Sequence, residues 1–317
     1  MKLLSFLFTA FISVAQAQTD ISIPTQNCLS KNRFLDTCEN ITVPGKLYQA
    51  SNYSIVLITH NSAGVDERHH RYARHLNTLG ISAVVLDHWG ARGVSNAQWD
   101  FVSAARRGAS AHNMVIDVYH SVAYFKDRGY TNVGYIGESM GGGVGILLSK
   151  REWQHHFRRV SGKEPVTLTA IASLYGNCNE RYVYDNYLNV PLLILIGSED
   201  QDAPAETCKS YADYANAKGA KYQFVELPGQ HHDFDAPFAL KRSSDAQNPA
   251  RCVADVTYDQ IRGKFNSKTY PNTPKGWEEW KNDCLIKARN NSARYGHTGD
   301  PNTGFSDWGK FFKETLQ

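Results

Sequence analysis

VGYIGESMGGG, residues 133–143, decides the fold of this chain. Val133, Tyr135 and Ile136 read as a short β-branched and aromatic strand. The run passes straight into Gly137-Glu138-Ser139-Met140-Gly141, a G-x-S-x-G pattern, with a helix opening behind it at Gly142 and Gly143. A nucleophile on a sharp strand-to-helix turn needs this composition. The turn is crowded, so small residues must flank it, and the helix N-terminus favours negative charge developing nearby. The five-residue pattern alone is moderately specific, and an incidental serine in a tight turn is the bland alternative. The strand before it and the helix after it argue for the nucleophile.

On either side of this elbow, short apolar runs alternate with amphipathic stretches. Residues 53–59 (YSIVLIT), 81–86 (ISAVVL), 166–174, 191–196 (PLLILI) and 222–227 read as strands. Residues 67–79, 105–128, 203–218 and 305–316 read as helices, the first three stopped by Gly80, Gly129 and Gly219. A Tyr-rich segment between the strands at 166–174 and 191–196 also reads as helical. Continuous β-branched strands alternating with helices imply an α/β class: a mostly parallel sheet covered by helices on both faces. The polar N-terminal part up to Gly45 shows no periodicity. Residues 241–301 read as a polar loop-and-helix excursion holding Cys252 and Cys284. The organisation expected is one domain over residues 18–317 that carries this excursion.

The first residues have a different character. Lys2 is a short positive region, residues 3–14 are apolar, and Ala15-Gln16-Ala17 is a small-x-small cleavage site, so residues 1–17 read as a cleaved signal peptide. The apolar run is too short to span a bilayer, and no stable membrane insertion is expected. The product would be secreted or periplasmic. Six cysteines in the remaining chain suit an oxidising compartment. Pairing in chain order gives short closed loops, so Cys28 is expected with Cys38, Cys178 with Cys208, and Cys252 with Cys284. Net charge is +3, or +2 without Lys2 (33 basic against 31 acidic residues), too weak to imply nucleic acid as a partner. The basic stretch KREWQHHFRR at 150–159 reads as the solvated face of a helix. Adjacent histidines do not share a helix face and no metal-ligand spacing accompanies them, so no metal is expected. No dinucleotide fingerprint is present, and no cofactor is expected.

A serine hydroxyl needs a base to take its proton, and the base needs an orienting carboxylate. For a nucleophile elbow the chain order is Ser, then Asp or Glu, then His. Ile196-Gly197-Ser198-Glu199-Asp200 and Gly229-Gln230-His231-His232-Asp233-Phe234 both follow strands, which brings them to the carboxyl edge of the sheet, where open α/β sheets bind ligands. By chemistry alone Glu199 and Asp202 compete with Asp200, and His231 with His232.

These segments resemble the dienelactone hydrolase family, over most of residues 43–238. The family's G-x-x-D segment is matched at 197–204 and its P-G-x-x-H-x-F segment at 228–234. The resemblance implies the α/β-hydrolase fold, and it selects Asp200 as orienter and His232 as base. It also implies an oxyanion hole made by the N–H of Met140 and one from His60-Asn61-Ser62-Ala63-Gly64, with Ser62 favoured over Asn61. Asp87-His88-Trp89-Gly90-Ala91-Arg92-Gly93 looks like the family's segment after the following strand. Arg92 there has two readings, a substrate anion site and, more readily, a loop-holding role; Trp89 is a candidate substrate contact. The chain departs from the family's best-known members, which use a cysteine and a glutamate near the oxyanion loop. Here Ser139 and Asn61 stand in those places, so the cysteine scheme and its substrate do not carry over.

The function expected is hydrolysis of a small-molecule carboxylic ester or lactone through Ser139, His232 and Asp200. A prolyl-oligopeptidase-type peptidase or amidase is the nearest rival; that type usually adds a propeller domain, for which 317 residues leave no room. A non-catalytic binding protein on the same fold is the rival from another class. Trp89, Trp99, Tyr182, Tyr184 and Tyr187 read either as an aromatic pocket or, more simply, as loop packing.

Overall fold

The computed structural model describes residues 18–32, 35–96, 101–184, 186–243, 246–247, 249–286, 289–290 and 292–317. The expected leader at 1–17 and Trp99 lie outside the described residues. The strands are β1 (Gln18–Asn32), β2 (Leu35–Tyr48), β3 (Ser54–Thr59), β4 (Ser82–Leu86), β5 (Asn132–Glu138), β6 (Ala170–Leu174), a short β7 (Glu180–Tyr182), β8 (Pro191–Gly197) and β9 (Lys221–Leu227). All but β7 join one sheet in the order β1-β2-β4-β3-β5-β6-β8-β9. β2 runs antiparallel to both its neighbours, and every later pairing is parallel. β3 and β4 are buried along their whole length, as strands covered on both faces must be. This is the expected α/β-hydrolase architecture.

The helices are α1 (Glu67–Thr78), α2 (Phe101–Arg106), α3 (Ala111–Lys126), α4 (Met140–Leu148), α5 (Arg151–Ser161), α6 (Ala205–Asn216), α7 (Pro274–Lys281) and α8 (Phe305–Leu316). Alternation along β5 shows how two of them take opposite faces. A Cβ at Gly134 would meet Leu316 and Phe312 of α8 at 3.0 and 3.1 Å. Tyr135, pointing the other way, donates its hydroxyl to the Gly141 carbonyl of α4 at 2.6 Å. α8 buries Phe305, Trp308, Phe311, Phe312 and Leu316, a helical stripe, and Trp308 packs on Tyr72 of α1 with ring centres 5.5 Å apart. Each such side chain contributes roughly 1.5–3 kcal/mol by leaving water.

Several sequence readings need correction. The N-terminal part is not aperiodic loop; it is the β1–β2 hairpin. Its inward positions include Ile21, Ile23, Thr25 and Asn27, and the two polar ones hide the period of two. They are satisfied inside the fold: Thr25 donates to Asp117 at 2.8 Å and the Asn27 amide to the Arg107 carbonyl at 3.2 Å. The helix read at 105–128 is two helices. Gly108, at φ 90°, ends the first turn sequence, and Ser110 caps α3 by accepting the Asn113 N–H. The strand read at 166–174 is confined to β6, and the Tyr-rich stretch after it contains β7 in place of a helix.

The excursion also differs. β7 pairs in parallel with Ala254–Val256, and Gln260–Gly263 and Thr269–Pro271 complete a four-stranded sheet next to α7. Strands of three or four residues are too short to register as a period. Cys252, Ala254, Ile261, Tyr270, Trp280 and Cys284 make a small core of their own. Lys150 is not on a solvated face. It is 1% exposed, donates to the Glu180 carbonyl at 3.3 Å and lies 4.2 Å above the Tyr182 ring; burial lowers its pKa to about 8. All three cysteine pairs expected in chain order are bonded. Among the described residues no helix is long and apolar enough to cross a membrane.

Candidate active site

Ser139 sits where β5 ends and α4 begins, at φ 49° and ψ −111°. A non-glycine residue there is strained, and the surroundings hold it: its N–H donates to the Leu174 carbonyl at 2.9 Å, and its carbonyl accepts from Gly143 at 2.8 Å. The flanking glycines follow from space. A Cβ at Gly137 would lie 2.4 Å from the Gly141 carbonyl oxygen, and one at Gly141 would lie 2.6 Å from that of Thr59.

Asp200 follows β8 and His232 follows β9, so both reach the same sheet edge. His232 Nε2 is 2.9 Å from Ser139 Oγ, and His232 Nδ1 is 2.8 Å from Asp200 Oδ2. Asp200 Oδ1 accepts the N–H groups of Asp202 and Ala203, both at 2.8 Å, which fixes the carboxylate plane. Burial opposes a charge on His232, but the carboxylates of Asp200, Asp202 and Asp233 outweigh it and raise its pKa above the ordinary histidine value. The rivals stand elsewhere. Glu199 is exposed, and His231 is half-buried. Asp202 is not a solvated loop charge: it accepts the Tyr295 hydroxyl at 2.8 Å, and burial raises its pKa. Tyr295, from the end of the excursion, stands edge-on to His232 at 5.6 Å, and Gly296 donates to the His232 carbonyl at 3.0 Å. Sequence reading missed this contact because no local pattern links residue 295 to residue 232.

The loop after β3 is tied down from several sides. The Asn61 N–H donates to Glu138 at 3.0 Å and that of Ala63 to Asn61 Oδ1 at 2.7 Å, so of these three consecutive amides the two flanking Ser62 are committed inward. Met140 is the first residue of α4, where an N–H has no intrahelical acceptor. Trp89 is 1% exposed, and its indole N–H donates to the Ser62 carbonyl at 3.0 Å. It orients this loop and offers no free face to a substrate, a correction to its reading as a substrate contact. Arg92 is corrected likewise. Its guanidinium grips both Asp117 oxygens, at 2.8 and 3.1 Å, and also bonds Asn27 Oδ1 and the His88 carbonyl at 3.0 Å each. With its side chain 1% exposed, it holds the N-terminal hairpin to α3. Of the other aromatics, Tyr182 and Tyr187 are buried, and Tyr184 stacks on exposed Tyr258 at 4.0 Å.

Sequence reading also missed a buried ionic cluster under the elbow. Glu138 is completely buried. It accepts from Asn61, from His69 Nε2 and the Tyr175 hydroxyl (2.7 Å each), and from Arg68. The same Arg68 Nη1 lies 2.7 Å from the Tyr175 hydroxyl, 2.8 Å from Asp233 Oδ1 and 3.5 Å from Asp235 Oδ1. Burial would raise the Glu138 pKa, yet Arg68 and His69 together hold it below the usual glutamate value. The signal was present in part, since Glu138 is one of the two variable residues of the elbow motif, but its partners come from three distant segments.

Among the described residues no group of three His, Cys, Asp or Glu side chains is placed to hold a metal ion. A search of curated proteins finds no match for the chain. Solved structures that it resembles include a dienelactone hydrolase from Anabaena variabilis ATCC 29413 (18% identity, TM-score 0.45, covering 68% of this chain and 90% of that one). A dienelactone hydrolase-like promiscuous phosphotriesterase from metagenomic libraries is similar too (16% identity, TM-score 0.48, 70% and 87% covered). So is a Pyrobaculum calidifontis esterase (16% identity, TM-score 0.46, 69% and 78% covered). The dienelactone hydrolase family model matches residues 44–258, more than half of the chain, and that span contains the elbow, the acid loop and the histidine loop; the chain belongs to the dienelactone hydrolase family.

Proposed function

We propose that this hydrolase is a serine esterase that cleaves a carboxylic ester or lactone through an acyl-enzyme, with Ser139 as nucleophile, His232 as base and Asp200 as orienting acid. The single observation that supports it best is the unbroken line from Asp200 through both ring nitrogens of His232 to Ser139 Oγ, at 2.8 and 2.9 Å. In that line Ser139 attacks the acyl carbon as His232 takes its proton, and the imidazolium is stabilised by Asp200. His232 then protonates the leaving alkoxide, and water repeats the sequence to release the acid. The N–H groups of Met140 and Ser62 receive the oxyanion in this reading. Export through the leader at 1–17 belongs to the same proposal; three disulfides suit an oxidising compartment.

The experiment is direct. Folded protein lacking residues 1–17 should react with a fluorophosphonate probe and hydrolyse short p-nitrophenyl esters, and Ser139→Ala should abolish both. Wild type that is neither labelled nor active would favour a binding role. Peptides cut far faster than esters would replace the esterase with a peptidase.

A further inference from the structure

Four described non-glycine residues have left-handed backbone: Ser139 (φ 49°), Tyr175 (φ 37°), Asp233 (φ 60°) and Ser267 (φ 56°). Three of them gather around Arg68. Tyr175 and Asp233 touch its guanidinium, and Ser139 directly follows Glu138, which also touches it. Strain of roughly 1–3 kcal/mol at each such residue persists only where the surroundings over-determine the backbone. The buried cluster supplies that constraint at the positions next to the candidate nucleophile and base: Glu138 precedes Ser139, and Asp233 follows His232.

We propose that Arg68, Glu138 and Asp233 are positioning residues that lock the nucleophile elbow, the histidine loop and the oxyanion loop into one geometry. This rests on the triad reading above. None of the three groups reaches a reacting atom. Glu138 carries the coupling to the oxyanion loop, because it binds the Asn61 N–H at 3.0 Å and the Asn61 side-chain amide at 3.3 Å. The peptide leading into Ser62 is thereby set from beneath the nucleophile. Asp233 ties the chain just past His232 to the same guanidinium, so a shift of the base relative to Ser139 would stretch a buried ion pair. Such a pair adds little net stability over an apolar core, but deleting one partner strands the others without water. Its contribution here is geometric.

Arg68→Met strands the carboxylates of Glu138, Asp233 and Asp235 and is a poor probe of rate, so Glu138→Gln and Asp233→Asn carry the test. Asn tolerates the left-handed backbone at 233, so that variant removes the charge and leaves the chain path open. Each is compared with wild type in p-nitrophenyl acetate hydrolysis on the plateau of its pH profile, per active site titrated with a fluorophosphonate. Thermal unfolding is followed in parallel. The expected result is a kcat per titrated site lowered about tenfold or more in each variant with KM within about twofold, and a double variant little worse than the poorer single. A lowered unfolding temperature with kcat per titrated site unchanged would reduce the cluster to a structural support. Losses that multiply in the double variant would mean that the two carboxylates act separately, and the shared clamp would be wrong. Wild type that takes no label overturns the triad reading and this inference with it; labelled wild type with unaffected variants overturns this inference alone.

Discussion

Arg68 and Arg92 are both buried arginines that hold carboxylates out of water, yet they sit in different company. Arg92 meets Asp117 in a two-pronged grip and spends its remaining donors on Asn27 and on backbone carbonyls of the hairpin and the loop after β4. Among the described residues, the non-glycine positive-φ residues touching or adjoining a buried guanidinium gather at Arg68, which meets acceptors from the elbow, the residue after β6 and the histidine loop. A buried arginine–carboxylate pair is therefore no sign of function in itself. What distinguishes the two is which backbone segments the acceptors belong to and whether those segments are strained. The pair at Arg92 joins an edge hairpin to a helix, whereas the cluster at Arg68 joins the segments that carry Ser139, His232 and Ser62.

This contrast predicts that changes at the sheet's carboxyl edge show in rate and changes at the hairpin show in stability. The largest effect belongs to Asp200→Asn, for which kcat should fall about ten-thousandfold with little change in unfolding temperature. Steady-state ester hydrolysis checks it; a loss of less than tenfold would remove Asp200 from the reacting line. Next is Arg92→Met, which leaves Asp117 buried without its cation and should cost about 3–5 kcal/mol in urea unfolding. Its kcat per titrated site should match wild type, and a lowered kcat would blur the distinction between the two arginines.

Trp89→Phe lies between the classes. It keeps the packing but loses the hydrogen bond to the Ser62 carbonyl, worth about 0.5–1.5 kcal/mol, so kcat should drop roughly two- to tenfold. An unchanged kcat would show that the loop after β3 holds its place without the indole. The smallest effect concerns pH. In the proposed mechanism His232 accepts a proton only when neutral, so kcat/KM should rise with pH as it loses its proton. Its raised pKa puts that limb above the ordinary histidine value of about 6.5. Asp202→Asn removes one of the charges that favour the imidazolium, and the limb should move to lower pH. A limb that stays put or moves upward would separate Asp202 from His232.

Much of this was legible in the residues. The strands at β3, β4, β5, β8 and β9 and the helices α1, α6 and α8 announce themselves through apolar runs and periodicity within two residues of their ends. The hairpin was not legible, because Thr25 and Asn27 face inward and are satisfied by partners some 80–92 residues away. The break between α2 and α3 was available in Gly108 and Ser110, and the stronger helical pattern after them obscured it. The misreading of Lys150 has the same origin as that of the hairpin. A basic run looks solvated unless one knows that Tyr182 and the Glu180 carbonyl will close over its first residue.

By itself the sequence determined the alternation of strand and helix, the G-x-S-x-G turn, and the chain order of serine, acid and histidine, because each rests on local periodicity or on residues adjacent in the chain. The tertiary structure brings His232 within 2.9 Å of Ser139 and Asp200 within 2.8 Å of the other ring nitrogen of His232. It also buries Trp89 and Arg92 in hydrogen bonds to the surrounding scaffold, and it makes Glu138, hidden inside the motif, share one guanidinium with Asp233. Those outcomes depend on which buried charges must find partners once water is excluded, and the partners come together only when the sheet has formed.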